Sequence, residues 1–145
     1  MIIKYEKSIK KNVVKPKYVK NTFRAFLSGG LICVFGQLLL LLFENFGFEK
    51  DEAGSLMIVT LIIIASLLTG LGVFDKIGQW AGAGSLVPVT GFANSMTSAA
   101  LEYKKEGIVL GIATNLFKLA GSVITFGVVS AYLLGIARYL FITYM

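Results

Sequence analysis

Histidine is absent from this chain, cysteine occurs once, proline twice, and charged residues make up only 15% of its 145 positions. Without histidine the commonest metal ligand and proton shuttle is missing, and a single cysteine excludes an intrachain disulfide. Cys33 lies inside an apolar run, where it reads as a small packing residue. The carboxylates Asp75, Glu102 and Glu106 sit at the margins of apolar segments and form no evident acid and base pair. No enzyme activity, cofactor or bound metal is therefore expected.

A soluble domain carries about a quarter charged residues. Here 56% of residues are hydrophobic, which places the chain in a membrane. The formal charge of +6 could point to nucleic acid, but its placement argues otherwise. Lys4, Lys7, Lys10, Lys11, Lys15, Lys17, Lys20 and Arg24 all precede the first long apolar run, opposed only by Glu6. This is the pattern of a cytoplasmic flank under the positive-inside rule, and no nucleic-acid partner is expected. A cleaved signal peptide is not expected either, because the basic region is long and no small-x-small site follows the apolar run.

Residues 1–20 read as a basic cytoplasmic arm that can lie on anionic lipid headgroups, and residues 21–145 as one transmembrane domain. Ala25 to Phe43 is free of charge for nineteen residues, roughly 28 Å as a helix. Ser28, Gly29, Gly30 and Gly36 allow another helix to approach it closely, Gln37 offers a helix-to-helix hydrogen bond, and Leu38 to Leu42 suit lipid. The acidic connection with Glu44, Glu49, Asp51 and Glu52 belongs on the opposite side from the basic arm. Ser55 to Phe74, twenty uncharged residues, returns the chain to the first side. Tyr132, Tyr139, Phe141 and Tyr144 look like an aromatic belt near the end of the chain.

Between these spans and the last apolar segment, residues 77–101 carry no charge and yet cannot form an ordinary helix. Gly78, Gly82, Gly84 and Gly91 lower helix propensity, Pro88 removes a backbone donor, and hydroxyl and amide side chains are frequent. At membrane depth, broken backbone is tolerated only where protein buries it or where it lines a watery cavity. The segment can be one broken crossing or two half-helices that enter and leave by one face. The fold class is accordingly an all-α integral membrane protein with three to four transmembrane helices and a Gly/Pro-interrupted, potentially re-entrant centre.

If Lys76 to Ala83 and Gly91 to Leu101 are the two half-helices, the first aims its last carbonyls and the second its first amides at Gly84 to Thr90. Such ends attract a cation and an anion respectively. Thr90 is the expected cap of the second half, with Asp75 and Gln79 as interface and capping residues of the first. A polar path would be lined by Gly82, Gly84, Ser85, Pro88, Thr90, Gly91, Asn94, Ser95, Thr97 and Ser98, of which Asn94, Thr97 and Ser98 share a helix face. Lys118 joins that path if its helix starts near Gly107, and snorkels to an interface if it starts near Leu119. The opposing reading is that these small and hydroxyl residues serve tight helix packing. A faint internal echo pairs Asn21-x-Phe23-Arg24-x-x-x-Ser28 with Asn115-x-Phe117-Lys118-x-x-x-Ser122, a weak match over eight positions.

The run from Thr69 to Ser85, with Gly-Ala-Gly at residues 82–84, continues as Val87-Pro88-Val89-Thr90-Gly91-Phe92-Ala93-Asn94-Ser95. With Tyr18-x-Lys20-Asn21, Gly29-Gly30-Leu31-Ile32-Cys33 and Asn115-x-Phe117-Lys118-Leu119-Ala120-Gly121-Ser122-Val123, it resembles the stage V sporulation protein AC/AE family. The resemblance covers the chain from about Pro16 onward; Trp80 stands where phenylalanine is expected, and the first fifteen residues match no pattern. It implies a channel or transporter subunit of the bacterial spore inner membrane, its N-terminus on the spore core side. Such a subunit moves dipicolinic acid with calcium in sporulation and germination, with tension as a gating stimulus. It implies AD and AE type stage V sporulation proteins as partners, beside membrane lipids and further copies of the chain in a homo-oligomer. The alternative is a membrane scaffold that assembles other pore-forming subunits.

Overall fold

The computed structural model describes residues 17–144, so the basic arm before Lys17 lies outside the described residues, as does the side chain of Tyr144. The described chain is helical, with α1 (Tyr18–Asn45), α2 (Lys50–Gly70), α3 (Phe74–Ala81), α4 (Ala83–Leu86), α5 (Val89–Tyr103) and α6 (Thr114–Tyr144). A 3-10 turn (Lys104–Glu106) and a π-helical turn (Ile108–Ala113) join α5 to α6. Three helical stretches are long and apolar enough to cross a membrane: Tyr18–Asn45, Lys50–Gly70 and Ile108–Thr143. All three are apolar around most of their circumference, the pattern of helices that face lipid rather than water.

The first two helices form an antiparallel hairpin. A β-carbon at Gly36 of α1 would lie 3.2 Å from Met57 Sδ of α2, and one at Gly54 of α2 would meet Leu40 of α1 at 4.0 Å. The small residues thus let the two backbones approach, which in lipid is a main source of helix association. Gln37, expected to bond a neighbouring helix, is exposed.

Both ends of the hairpin are closed by the same device. At the end of α1, Gly47 (φ +93°) donates to the Glu44 carbonyl at 3.0 Å and Phe48 to the Phe43 carbonyl at 3.3 Å. At the end of α2, Gly72 (φ +69°) donates to Thr69 at 2.9 Å and Val73 to Leu68 at 2.9 Å. This crossed pair of bonds satisfies carbonyls a helix end leaves open, and it needs a left-handed residue that glycine supplies without strain. The accompanying apolar contact is present in the first case, where the Phe43 and Phe48 rings meet edge to face with centroids 6.3 Å apart. α2 begins five residues before the expected Ser55 because Asp51 and Glu52 occupy its first turn, where carboxylates favour the exposed amides.

After the second turn the chain comes back against the hairpin. Phe74, first residue of α3, is buried with Ala65 of α2 and Ala93 of α5, with Ile62 and Leu68 packed around them. α5 therefore runs beside the later part of α2. Gly107 (φ +98°) breaks the chain before the π-helical turn, and Gly111 in that turn packs so closely on Tyr103 and Glu106 that a β-carbon would lie 2.9 Å from Glu106 Cβ. Thr114 Oγ1 donates to the Val109 carbonyl five residues back at 2.9 Å, which serves the widened turn. Beyond Gly121, α6 leaves the bundle, and every residue from Gly121 to Thr143 is exposed. Tyr132, Tyr139 and Phe141 of the expected aromatic belt lie in this free portion and are exposed.

Candidate functional site

The central segment is two helices with a further turn between them. α3 ends at Gly82, whose φ of +57° and ψ of −133° start the four-residue α4, and Pro88 (φ −63°, ψ 168°) precedes α5. Sequence spacing suggested an irregular loop from Gly84 to Thr90, but much of it is this extra turn. The turn uses up backbone groups expected to stay free: the Gly82 and Ala83 carbonyls accept from Ser85 and Val87 at 3.2 and 3.0 Å. The Ala81 carbonyl lies 3.3 Å from Ser28 Oγ of α1, a hydroxyl that also stands 2.8 Å from the Arg24 carbonyl of its own helix.

Glycine is required where α4 meets α1. A β-carbon at Gly84 would collide with the Ala25 carbonyl and Ser28 Oγ and lie 2.8 Å from the Gly29 nitrogen. Ser28 and Gly29, marked in the sequence as a surface for close approach, thus receive the broken segment rather than a full-length helix. Ser85 is 1% exposed and donates to the Gly82 carbonyl at 3.2 Å. Gly91 is pressed on Leu86, whose α-carbon would lie 2.5 Å from an added β-carbon.

The two expected caps differ from the structure. Asp75 is the second residue of α3, whose cap position is Val73 with no side-chain bond. Its carboxylate lies in the first turn, favourable to the helix dipole without closing the terminus. Thr90 is the second residue of α5, not its cap, and its Oγ1 donates to the Ser85 carbonyl at 3.4 Å. Pro88 takes the cap position because it needs no donor and holds extended backbone there.

The remaining expected path residues separate into two groups. Asn94 faces α2, where Thr69 Oγ1 lies 2.8 Å from Asn94 Oδ1 and 2.7 Å from the Ala65 carbonyl. Ser95 and Ser98 instead line a cleft of about 400 Å³ between α5 and α6, shared with Glu102, Asn115 and Lys118. Lys118 is exposed on a helix that has already run from Ile108, so the structure joins it to two of the expected path serines. Thr97 is half-buried beside these groups and lines neither cleft. The expected single polar face of α5 is thus shared between a packed side and an open side.

A second polar cleft, of about 520 Å³, lies between the start of α1 and the end of α3. It is lined by Asn21, Thr22, Arg24 and Ala25 on one side and by Gln79 to Ala83 on the other. The Arg24 guanidinium carbon stands 5.7 Å from the centre of the Trp80 ring, a cation–π contact. Gln79, expected with Asp75 as an interface and capping residue, lines this cleft, while Asn21, Arg24 and Trp80 are not among the expected site residues. The one signal for them was the echo between Asn21/Arg24 and Asn115/Lys118, since each pair lines a cleft against the central segment. An apolar cavity of about 240 Å³ is lined by Ser85 and Thr90 of the central segment and by α1 and α2 side chains including Leu31, Phe35 and Leu61.

Comparison with known proteins agrees with a membrane protein. No solved structure matches the chain. Stage V sporulation protein AC of Bacillus subtilis (strain 168) is 59% identical over 138 residues, covering 94% of this chain and 92% of that protein. The family model described as SpoVAC/SpoVAEB sporulation membrane protein matches residues 21–137, from the Asn21 cleft through the free part of α6. The chain belongs to the SpoVAC/SpoVAEB family of sporulation membrane proteins.

Proposed function

We propose that this chain is a channel or transporter subunit of the spore inner membrane, moving dipicolinic acid with calcium, and that the path runs along the central segment. The observation that carries this reading is the pair of polar clefts on either side of α3 to α5, each with one basic residue of α1 or α6 on its wall. In this reading both basic residues stand at the cytoplasmic ends of their charge-free windows, Arg24 before Ala25 and Lys118 before Leu119, so the clefts lie where a path along the central segment would open to that side. The solute is a dianion, and Arg24 and Lys118 supply the complementary charge. Membrane tension is the proposed gating stimulus.

In this reading the central segment is re-entrant. α5 follows the later part of α2, with Asn94 at Thr69, so it heads for the face at which α2 ends. Lys76, Lys104 and Lys105 then join the basic arm on the cytoplasmic side, as the positive-inside rule favours. From Leu119 to Ala137 the last helix has nineteen residues without charge, bounded by Lys118 and Arg138. That window is roughly 28 Å long and fits the hydrocarbon core, which sets Lys118 at the cytoplasmic edge and the C-terminus outside.

The second reading, a scaffold that assembles AD and AE type stage V sporulation proteins, is favoured by Gly84, Ser85, Thr90 and Gly91. All four are buried in helix packing. Purified chain reconstituted alone in vesicles loaded with calcium dipicolinate separates the two. Solute release on osmotic downshift is expected for a channel subunit, and retention equal to that of loaded, protein-free vesicles would favour the scaffold.

A further inference from the structure

Among alanine and glycine, the cleft between α1 and α3 presents four polar side chains that can donate hydrogen bonds, one of them charged. Arg24 offers a guanidinium with donors only, Asn21 and Gln79 offer amide hydrogens, Thr22 offers a hydroxyl, and among the described residues no carboxylate lines the space. Trp80 holds the guanidinium from one side by its ring face, with 5.7 Å between guanidinium carbon and ring centre. A cation–π contact meets the charge while leaving the hydrogen-bond donors of the planar fork to other partners. Asn21 and Arg24 are three residues apart on a helix and so point to the same side, into this cleft. Planar carboxylate and phosphate oxygens match an arginine fork better than any neutral group does.

We propose that Asn21, Arg24, Gln79 and Trp80 form an oxyanion-binding site at the junction of α1 and α3, taking a carboxylate of a passing solute or the phosphate of a lipid headgroup. The choice of a dicarboxylate probe rests on the transport reading; the site itself rests on the cleft. The same asparagine and cation spacing recurs at Asn115 and Lys118, but Glu102 shares that second cleft, so the α1 and α3 cleft is the more purely anion-attracting of the two.

Trp80 is the one tryptophan of the chain, and it makes the site its own reporter. The full chain in nanodiscs of zwitterionic phosphatidylcholine is titrated with pyridine-2,6-dicarboxylate while tryptophan emission is followed. A saturable change is expected, weakened on the order of tenfold in Arg24→Gln and less in Arg24→Lys, which keeps charge and loses the fork. If Arg24→Gln does not insert, Gln79→Leu at an exposed position provides the same comparison. A second series replaces part of the lipid with phosphatidylglycerol and adds no solute. An emission change that needs Arg24, seen in this series alone, assigns the site to headgroup phosphate. No change in either series, or a change that Arg24→Gln leaves intact, overturns the proposal. Solute release from vesicles with no emission change in the unsubstituted chain would remove the site while leaving transport in place; an emission change that needs Arg24, without release, would do the reverse.

Discussion

Glycine 84 is the residue on which the packing of the broken segment turns. Its missing side chain lets α4 rest on the backbone of α1 between Ala25 and Gly29. Gly84→Ala is expected to lower stability by about 1–3 kcal/mol through overpacking, seen as a lower melting temperature in detergent. Gly30→Ala, one residue along α1 from the contact and with nothing within 4 Å of its added carbon, is the matched control and should be neutral or stabilising. An equal loss in both would show that Gly84 packs on nothing of consequence. Thr69 and Asn94 make the polar link between α2 and α5. A double-mutant cycle with Thr69→Val and Asn94→Leu should give a coupling of about 0.5–1.5 kcal/mol, and no coupling would mean that each side chain is satisfied elsewhere.

At the scale of elements, the turns after α1 and α2 were hidden in the sequence although their glycines were plain to see. Gly47 and Gly72 both stand at left-handed backbone, and Gly47→Ala should cost about 1 kcal/mol while leaving helicity by circular dichroism nearly unchanged. A cost no greater than for Gly30→Ala would contradict the left-handed turn. Both ends of α2 lie earlier in the chain than its charge-free window, each for a local reason. Carboxylates at Asp51 and Glu52 extend α2 at its start, and Thr69, Gly72 and Val73 fix its end before the expected Phe74. The additional turn α4 left no local mark, because a stretch of Ala-Gly-Ser-Leu has little helix preference of its own and forms only against α1.

For the whole molecule, the decisive question is how often the chain crosses the bilayer. Under the re-entrant reading, cysteine placed at Lys104 on a Cys33-free background should react with a membrane-impermeant reagent from the cytoplasmic side, and reaction from outside would establish a fourth crossing. Lys118→Ala should lower solute release from vesicles with normal membrane insertion; unchanged release would return Lys118 to the role of an interfacial anchor. The free length of α6, exposed from Gly121 to Thr143, leaves that helix anchored to the bundle through the turn and cleft at its start. Removal of residues after Gly121 should therefore leave the melting of α1 to α5 nearly intact in detergent, and a collapse of that melting would disprove this division.

The order of residues alone determined that the chain lives in a membrane, where its uncharged windows lie, and that the stretch around Pro88 cannot be a plain helix. These follow from hydropathy and backbone preference, which act over a few neighbours. Only the tertiary structure decided that Ser28 reaches Ala81 from 53 residues away, that Thr69 meets Asn94 from 25 away, and that Arg24 lies over Trp80. It also divided the expected polar path into a packed centre and two open clefts. Such pairings depend on which helix faces come together, and in lipid an apolar helix surface that is uniform all round gives little sign of which face that will be.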